Sequence, residues 1–221
     1  MRLQRTSKPF SKDREQFVSV LVGQRLAFFM VRLLIKIAFS IEIRGIEHLR
    51  AVRKPFIIAA NHPTRIDAAF LCLLPYAAAR AFMPLFFPMA EMYYERLWYR
   101  ILFQPLGAYP MRRFAIDLED YVADTIGLLK KGHVVLVFPE GQISSQENAL
   151  NGKPGIILSA QESGAPIIPL RISISGRSVA TRRKVTLTFG APVTVDQGLY
   201  PKEFLTKARQ LVADIYALFA H

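Results

Sequence analysis

The segment Val134-Val135-Leu136-Val137-Phe138 constrains the fold more than any other part of the chain. Five apolar residues rich in branched side chains, with no polar alternation, form a strand buried on both faces. Such strands belong to parallel sheets covered by helices on either side. Residues 55–61, PFIIAAN, repeat the pattern, and shorter strand signals lie at 41–45, 109–111, 166–173 and 184–190. Helical periodicity appears at 64–74, 89–103, 114–131 (closed by Gly132), 157–164 and 201–218. This alternation predicts one α/β domain over residues 41–221, a mostly parallel mixed sheet flanked by helices. Residues 1–40 form a basic, amphipathic, membrane-associating helix ahead of it. The polar stretch 144–155 reads as a loop.

Composition removes whole classes. An apolar fraction of 52% over 221 residues excludes a disordered chain. A single cysteine, Cys72, excludes an internal disulfide and a thiolate metal cluster. His48, His133 and His221 lie apart without ligand spacing, so no metal site is expected. The balance of 29 Lys+Arg against 17 Asp+Glu gives a net charge of +12. Nucleic-acid binding explains the charge but not the apolar content, and no aromatic RNA-binding strand motif is visible. An anionic membrane surface explains both. The cluster Arg177, Arg182, Arg183 and Lys184 reads as a solvated loop.

The first fifty residues hold ten basic and four acidic side chains. From Phe17 to Ile41 the chain is apolar and free of proline, which predicts a helix. Arg25, Arg32 and Lys36 break any charge-free run of the ~18–20 residues a membrane span requires. Arg14, Arg25, Arg32 and Lys36 fall within about 40° of one another on a helical wheel. The helix therefore reads as two-sided, with Leu21, Phe28, Phe29, Leu33 and nearby Leu26 as its apolar face, lying in the interface plane. The late, charge-interrupted apolar run lacks the pattern of a cleavable signal. A monotopic or peripheral location on the cytoplasmic face of a membrane is expected. A second apolar stretch, 77–106, carries Tyr93, Tyr94, Trp98 and Tyr99, residues that favour a membrane–water boundary.

The chemistry concentrates where the two apolar strands end. After PFIIAAN comes Asn61-His62-Pro63-Thr64-Arg65-Ile66-Asp67. In a continuous helix His62 and Asp67 would diverge by about 140°. With Thr64 as the cap and Asp67 at the third helical position, Asp67 leans back toward His62 in the preceding loop. The result is a His–carboxylate pair suited to general-base catalysis: the carboxylate fixes the tautomer, and the free nitrogen takes a proton from a hydroxyl. The second strand runs into Pro139-Glu140-Gly141, setting a carboxylate at the sheet's C-terminal edge, where open α/β sheets bind ligands.

Asn-His-x-Thr-x-x-Asp at 61–67 resembles the first motif of the glycerolipid acyltransferases, the 1-acylglycerol-3-phosphate acyltransferase family. Phe-Pro-Glu-Gly at 138–141, about seventy residues later, resembles their third motif, and Gly107 to Arg113 is similar to the second. Ile167-Ile168-Pro169-Leu170 is similar to the fourth. The resemblance implies O-acyl transfer from acyl-CoA or acyl-carrier protein to the free hydroxyl of a lysophospholipid, lysophosphatidic acid or a related lysolipid, with no other cofactor. It implies His62 as general base and Asp67 as its orienting partner. Gly107, Arg113, Glu140 and Gly141 would bind the acceptor head group, Arg113 most directly its phosphate, and Asn61 and Thr64 would join the substrate-binding residues. Pro169 would lie on the acyl side. No nucleophile-elbow serine or activated cysteine is present, so the acceptor hydroxyl attacks the thioester directly, without an acyl-enzyme. Backbone N–H groups after Thr64 would hold the oxyanion.

Two departures fall on the acceptor side. Gln142-Ile143 stands where the third motif carries Thr-Arg, leaving Arg112, Lys153 or Arg171 to compensate. Tyr-Pro-Met-Arg replaces the apolar run ending in Asp that is commoner in the second motif. The competing reading is a catalytically inactive, basic membrane- or nucleic-acid-binding protein on the same scaffold.

Overall fold

A computed structural model describes residues 14–111, 117–143, 151–176 and 183–218. Seven strands run β1 (Phe39–Arg44), β2 (Phe56–Ala60), β3 (Leu85–Ala90), β4 (Ala108–Met111), β5 (Val134–Val137), β6 (Ile167–Ser175) and β7 (Arg183–Phe189). They form one sheet in the order β1-β7-β6-β2-β5-β3-β4, in which every neighbouring pair is parallel except β6 and β7. The two all-apolar strands, β2 and β5, sit side by side at the centre, as burial on both faces requires.

The helices are α1 (Arg14–Ala38), α2 (Ile46–Ala51), α3 (Asp67–Phe70), α4 (Tyr76–Phe82), α5 (Glu91–Tyr94), α6 (Leu97–Phe103), α7 (Leu118–Lys130), α8 (Gly155–Ser163) and α9 (Pro201–Ala217). One face of the sheet packs against the later half of α1 and the segment from α3 to α4, through Phe28, Phe70, Leu74 and Phe82. The other packs against α7, α8 and α9, through Val122, Leu129, Ile157, Leu211 and Ile215.

Three expectations are corrected. β3 is a strand without a sequence signal, and the helix expected over 89–103 starts only at Glu91 and divides into α5 and α6: Pro84 just before β3 and Pro88 within it mask the strand, because a proline contributes no ladder N–H. The helix expected over 64–74 shrinks to the four residues of α3 and a 3-10 turn, Leu71–Leu73. The N-terminal helix is three-sided. Val20, Gln24, Phe28 and Ile35 face the domain, while Val18, Val22, Leu26, Phe29, Met30, Leu33, Leu34 and Ile37 are exposed. Arg25 and Lys36 run exposed along one flank. Arg32 turns inward instead, its Nη1 donating to the carbonyls of Cys72 and Leu73 at 3.1 Å each and to that of Leu74. Phe28, grouped in sequence with the outward side, is buried; its burial alone is worth about 2–3 kcal/mol.

By length and composition Phe17–Ala38 is long and apolar enough to cross a membrane. Polar contacts nevertheless tie it to the sheet. The buried Gln24 side chain donates to Leu85 O at 2.5 Å and Leu106 O at 2.8 Å, and accepts from Leu85 N at 2.9 Å. Nearer the start of α1, the half-buried His133 ring stacks on Phe17 at 5.1 Å and meets Phe86 at a tilt at 5.0 Å.

Candidate active site

Parallel register brings the two motifs together. Ala59 on β2 lies opposite Val137 on β5, so His62 and Glu140, each three residues further on, leave the sheet at the same level of adjacent strands. Phe138 becomes the platform for His62: the rings stack at 4.1 Å with planes 16° apart. On the other side of β2, Ala59 pairs with Pro169.

His62 Nδ1 lies 2.7 Å from Asp67 Oδ2. Asp67 is buried, and its carboxylate also accepts from the Thr64 amide (2.9 Å) and the Thr64 hydroxyl (2.5 Å). Asp67 is therefore the hub of the turn, and its helix begins at Asp67 itself, later than a cap at Thr64 implies. With Nδ1 committed to the carboxylate, Nε2 makes no hydrogen bond to any described residue, and the ring is partly exposed. A neutral imidazole held this way presents an acceptor nitrogen to an incoming hydroxyl. The Thr64 amide is spent on Asp67, and of the amides after Thr64 expected to hold the oxyanion, that of Ile66 donates to Thr64 Oγ1 at 3.3 Å.

Asn61 works as a latch. Its Nδ2 donates to Ile172 O at 2.9 Å and its Oδ1 accepts from Ile172 N at 2.6 Å, extending the β2–β6 ladder by a side chain. Gly107 is buried with φ of 94°, and a Cβ there would strike Leu85 O and lie 2.7 Å from Gln24 Nε2. Backbone approach to β3 and α1 thus accounts for this glycine, where the sequence offered acceptor binding. Pro169 is buried within β6, its carbonyl accepting from Gly190 N at 2.8 Å. Arg113 and Arg112 lie outside the described residues.

Glu140 is buried beside the pair, with Oε2 free of any hydrogen-bond partner among the described residues. Its Oε1 accepts from the Tyr216 hydroxyl at 3.2 Å. Burial pushes this carboxyl above its ordinary range, opposed by Tyr216, His62 and Arg171. The Arg171 guanidinium lies 3.8 Å from the centre of the Tyr216 ring. Gly141 turns at φ of 70°, and its missing side chain makes room for Lys153, whose Cγ would sit 3.3 Å from a Cβ. Of the three cations offered as substitutes for the missing arginine, Arg171 and Lys153 therefore stand at the third motif. Sequence reasoning missed Tyr216, because a tyrosine beside the apolar stripe of a closing helix carries no local signal of its partner.

Among the described residues no group of three His, Cys, Asp or Glu side chains is placed to hold a metal ion. The site therefore offers one oriented base, one buried carboxylate and flanking cations.

A family model described as Acyltransferase matches residues 40–173. The chain belongs to the acyltransferase family. All four sequence motifs fall inside the match, whereas α1 and α9, with Gln24 and Tyr216, fall outside it. The chain is 24% identical over 167 residues to the 1-acyl-sn-glycerol-3-phosphate acyltransferase of Bacillus subtilis (strain 168), covering 74% of this chain and 78% of that protein. It also matches the crystal structure of PlsC, the 1-acyl-sn-glycerophosphate (LPA) acyltransferase of Thermotoga maritima. That match has a TM-score of 0.56 and 20% identity, over 94% of this chain and 85% of the other. The shared fold is the α/β sheet described above, preceded by an apolar helix. The protein is an acyltransferase enzyme.

Proposed function

We propose that this acyltransferase esterifies the free hydroxyl of a lysophospholipid, lysophosphatidic acid or a related lysolipid, using a fatty acyl thioester on coenzyme A or acyl-carrier protein. The observation that carries the proposal is the 2.7 Å contact from His62 Nδ1 to Asp67, which leaves Nε2 uncommitted at the C-terminal edge of the sheet. The acceptor hydroxyl gives its proton to Nε2 as its oxygen attacks the thioester carbonyl. Collapse of the tetrahedral intermediate breaks the C–S bond, and the imidazolium returns the proton to the departing thiolate. Asp67 fixes the tautomer and steadies the transient imidazolium. Glu140, Lys153 and Arg171 border the acceptor side, where the relatives' named acceptor carries a phosphate. The exposed apolar face of α1 seats the enzyme on the membrane from which its lipid acceptor comes, on the cytoplasmic side.

The test is acceptor-dependent thiol release from a long-chain acyl-CoA in detergent, across a panel of lysolipids, with His62→Ala beside the wild type. Release that needs both the lysolipid and His62 supports the proposal. Folded wild-type protein that releases no thiol with acyl-CoA or acyl-carrier protein overturns it.

A further inference from the structure

The α5–α6 segment poses a separate question. α6, Leu97–Phe103, buries none of its residues. Leu97, Trp98, Ile101 and Leu102 are exposed at 60%, 57%, 65% and 55%, and Met92 and Tyr93 of α5 are exposed beside them. On a helical wheel the four α6 side chains occupy an arc of about 140°, with Tyr99 and Phe103 on the opposite side. Those two rings stack on each other at 5.5 Å, and Tyr99 also meets Tyr93 at 5.5 Å and Trp98 at 3.8 Å, so the half-buried inward side is an aromatic cluster edged by the exposed Tyr93 and Trp98. Arg96 and Arg100 are exposed on the flank, against one exposed acid, Glu95, in the same segment. The order of inward, basic and outward apolar faces is the one α1 shows.

The two surfaces join. Gly23, at the border of α1's outward face, meets the chain just past α6: a Cβ there would lie 2.6 Å from Pro105 O. The chain just past α6 thus lies against the turn of α1 that carries the exposed Val22 and Leu26. Water-soluble surfaces rarely leave so many large apolar side chains together uncovered. The convex form of two helix faces, the tryptophan–tyrosine content and the cationic flanks fit an anionic lipid–water interface. At about 10 Å in length α6 is too short to enter a bilayer end-on and suits a helix lying flat.

We propose that the Leu97–Trp98–Ile101–Leu102 face of α6 is a second bilayer contact that seats the protein, together with α1, on an anionic membrane. This goes beyond the reaction proposed above and does not depend on it. Trp98 is the only tryptophan in the chain, so its fluorescence reports on this face alone. The experiment titrates the full-length protein with phosphatidylcholine vesicles, with and without phosphatidylglycerol, and follows Trp98 emission and co-sedimentation together. A blue shift on phosphatidylglycerol vesicles, quenching by bromine-labelled acyl chains and protection from aqueous iodide are expected. Leu97→Asp with Ile101→Asp should weaken vesicle binding about tenfold or more while leaving the far-ultraviolet circular dichroism unchanged, since both side chains are exposed. Three results overturn the proposal: vesicle binding with Trp98 emission still that of a water-exposed indole, no binding to anionic vesicles, or Trp98 already shielded in solution by a second copy of the chain.

Discussion

The hydroxyl of Tyr216, on the last helix, donates to Glu140 Oε1 at 3.2 Å, so a residue outside the segment shared with the family holds the carboxylate of the Phe-Pro-Glu-Gly motif. Without this bond one oxygen of a buried carboxylate loses its side-chain donor while the other already has none. β6 supplies Arg171 against the Tyr216 ring, and Asn61 at the end of β2 also acts on the phenol. The groups facing Glu140 are thus Tyr216, His62 and Arg171.

Tyr216→Phe should move the Glu140 titration further upward, because the hydroxyl opposes the rise that burial causes. If the ionised carboxylate serves the acceptor, the acidic limb of the rate–pH profile shifts to higher pH in the variant. An unshifted limb, measured with saturating donor, would separate Tyr216 from the reaction.

The same raised carboxyl makes stability depend on pH in a defined sense. A group that holds its proton more tightly when folded favours the fold below its unfolded value, 4.5 here, and loses that advantage as pH rises through the folded value. Glu140→Gln should therefore flatten the decline in unfolding free energy above that pH, measured by urea denaturation at a series of pH values.

Asp67→Asn should lower kcat by about a hundredfold or more with the fold retained. An amide can bond His62 in the wrong tautomer, and it cannot accept from the Thr64 amide and hydroxyl as the carboxylate does on its two oxygens. Steady-state kinetics beside circular dichroism checks both halves of the statement. A variant at wild-type rate would remove the dyad from the mechanism.

Gln24 and Gly107 should behave as one structural unit. Gln24→Leu leaves the peptide groups of Leu85 and Leu106 without three hydrogen bonds, a loss of about 2–4 kcal/mol. Gly107→Ala combines a left-handed φ with a clash against Leu85 and Gln24, and should destabilise by about 2 kcal/mol or more. Since the two contacts are shared, the double variant should lose less than the sum. Additive losses in denaturant midpoints would show the sites to be independent.

Cys72 should be inert. Burial pushes its thiol up to about 11, against the opposing influence of Arg32. Alkylation of the native protein by iodoacetamide at pH 8 should run about a hundredfold or more slower than that of an unperturbed cysteine. Cys72→Ala should keep acyl transfer, as direct attack by the acceptor demands; loss of turnover in a folded variant would point to a covalent step.

The legible parts of this fold share a cause. Val134–Phe138 and Phe56–Ala60 announce central strands because continuous apolar side chains have nowhere to go except between two layers. The His62–Asp67 pair was readable because both residues lie in one short turn, within reach of each other whatever the rest of the chain does. Trp98 and its neighbours stood out by composition. β3 was hidden, since Pro88 within it and Pro84 just before it lower local strand preference, and the sheet overrides that preference once β5 and β4 flank it.

Contacts between distant segments followed a different logic. The level at which Glu140 meets His62 depends on the β2–β5 register, and the partner of Glu140 depends on where α9 docks. Arg32 belongs to a basic stripe by its helical angle, yet it turns inward because the 3-10 turn offers it three carbonyls. Gly107 looks like a ligand-binding glycine in a motif, and packing shows it to be a close approach of backbone to Leu85 and Gln24. Residue types and short spacings specify the chemistry available to a chain. Which groups meet is set by long-range packing, whose free energy is shared among many side chains and so leaves no mark on any single one.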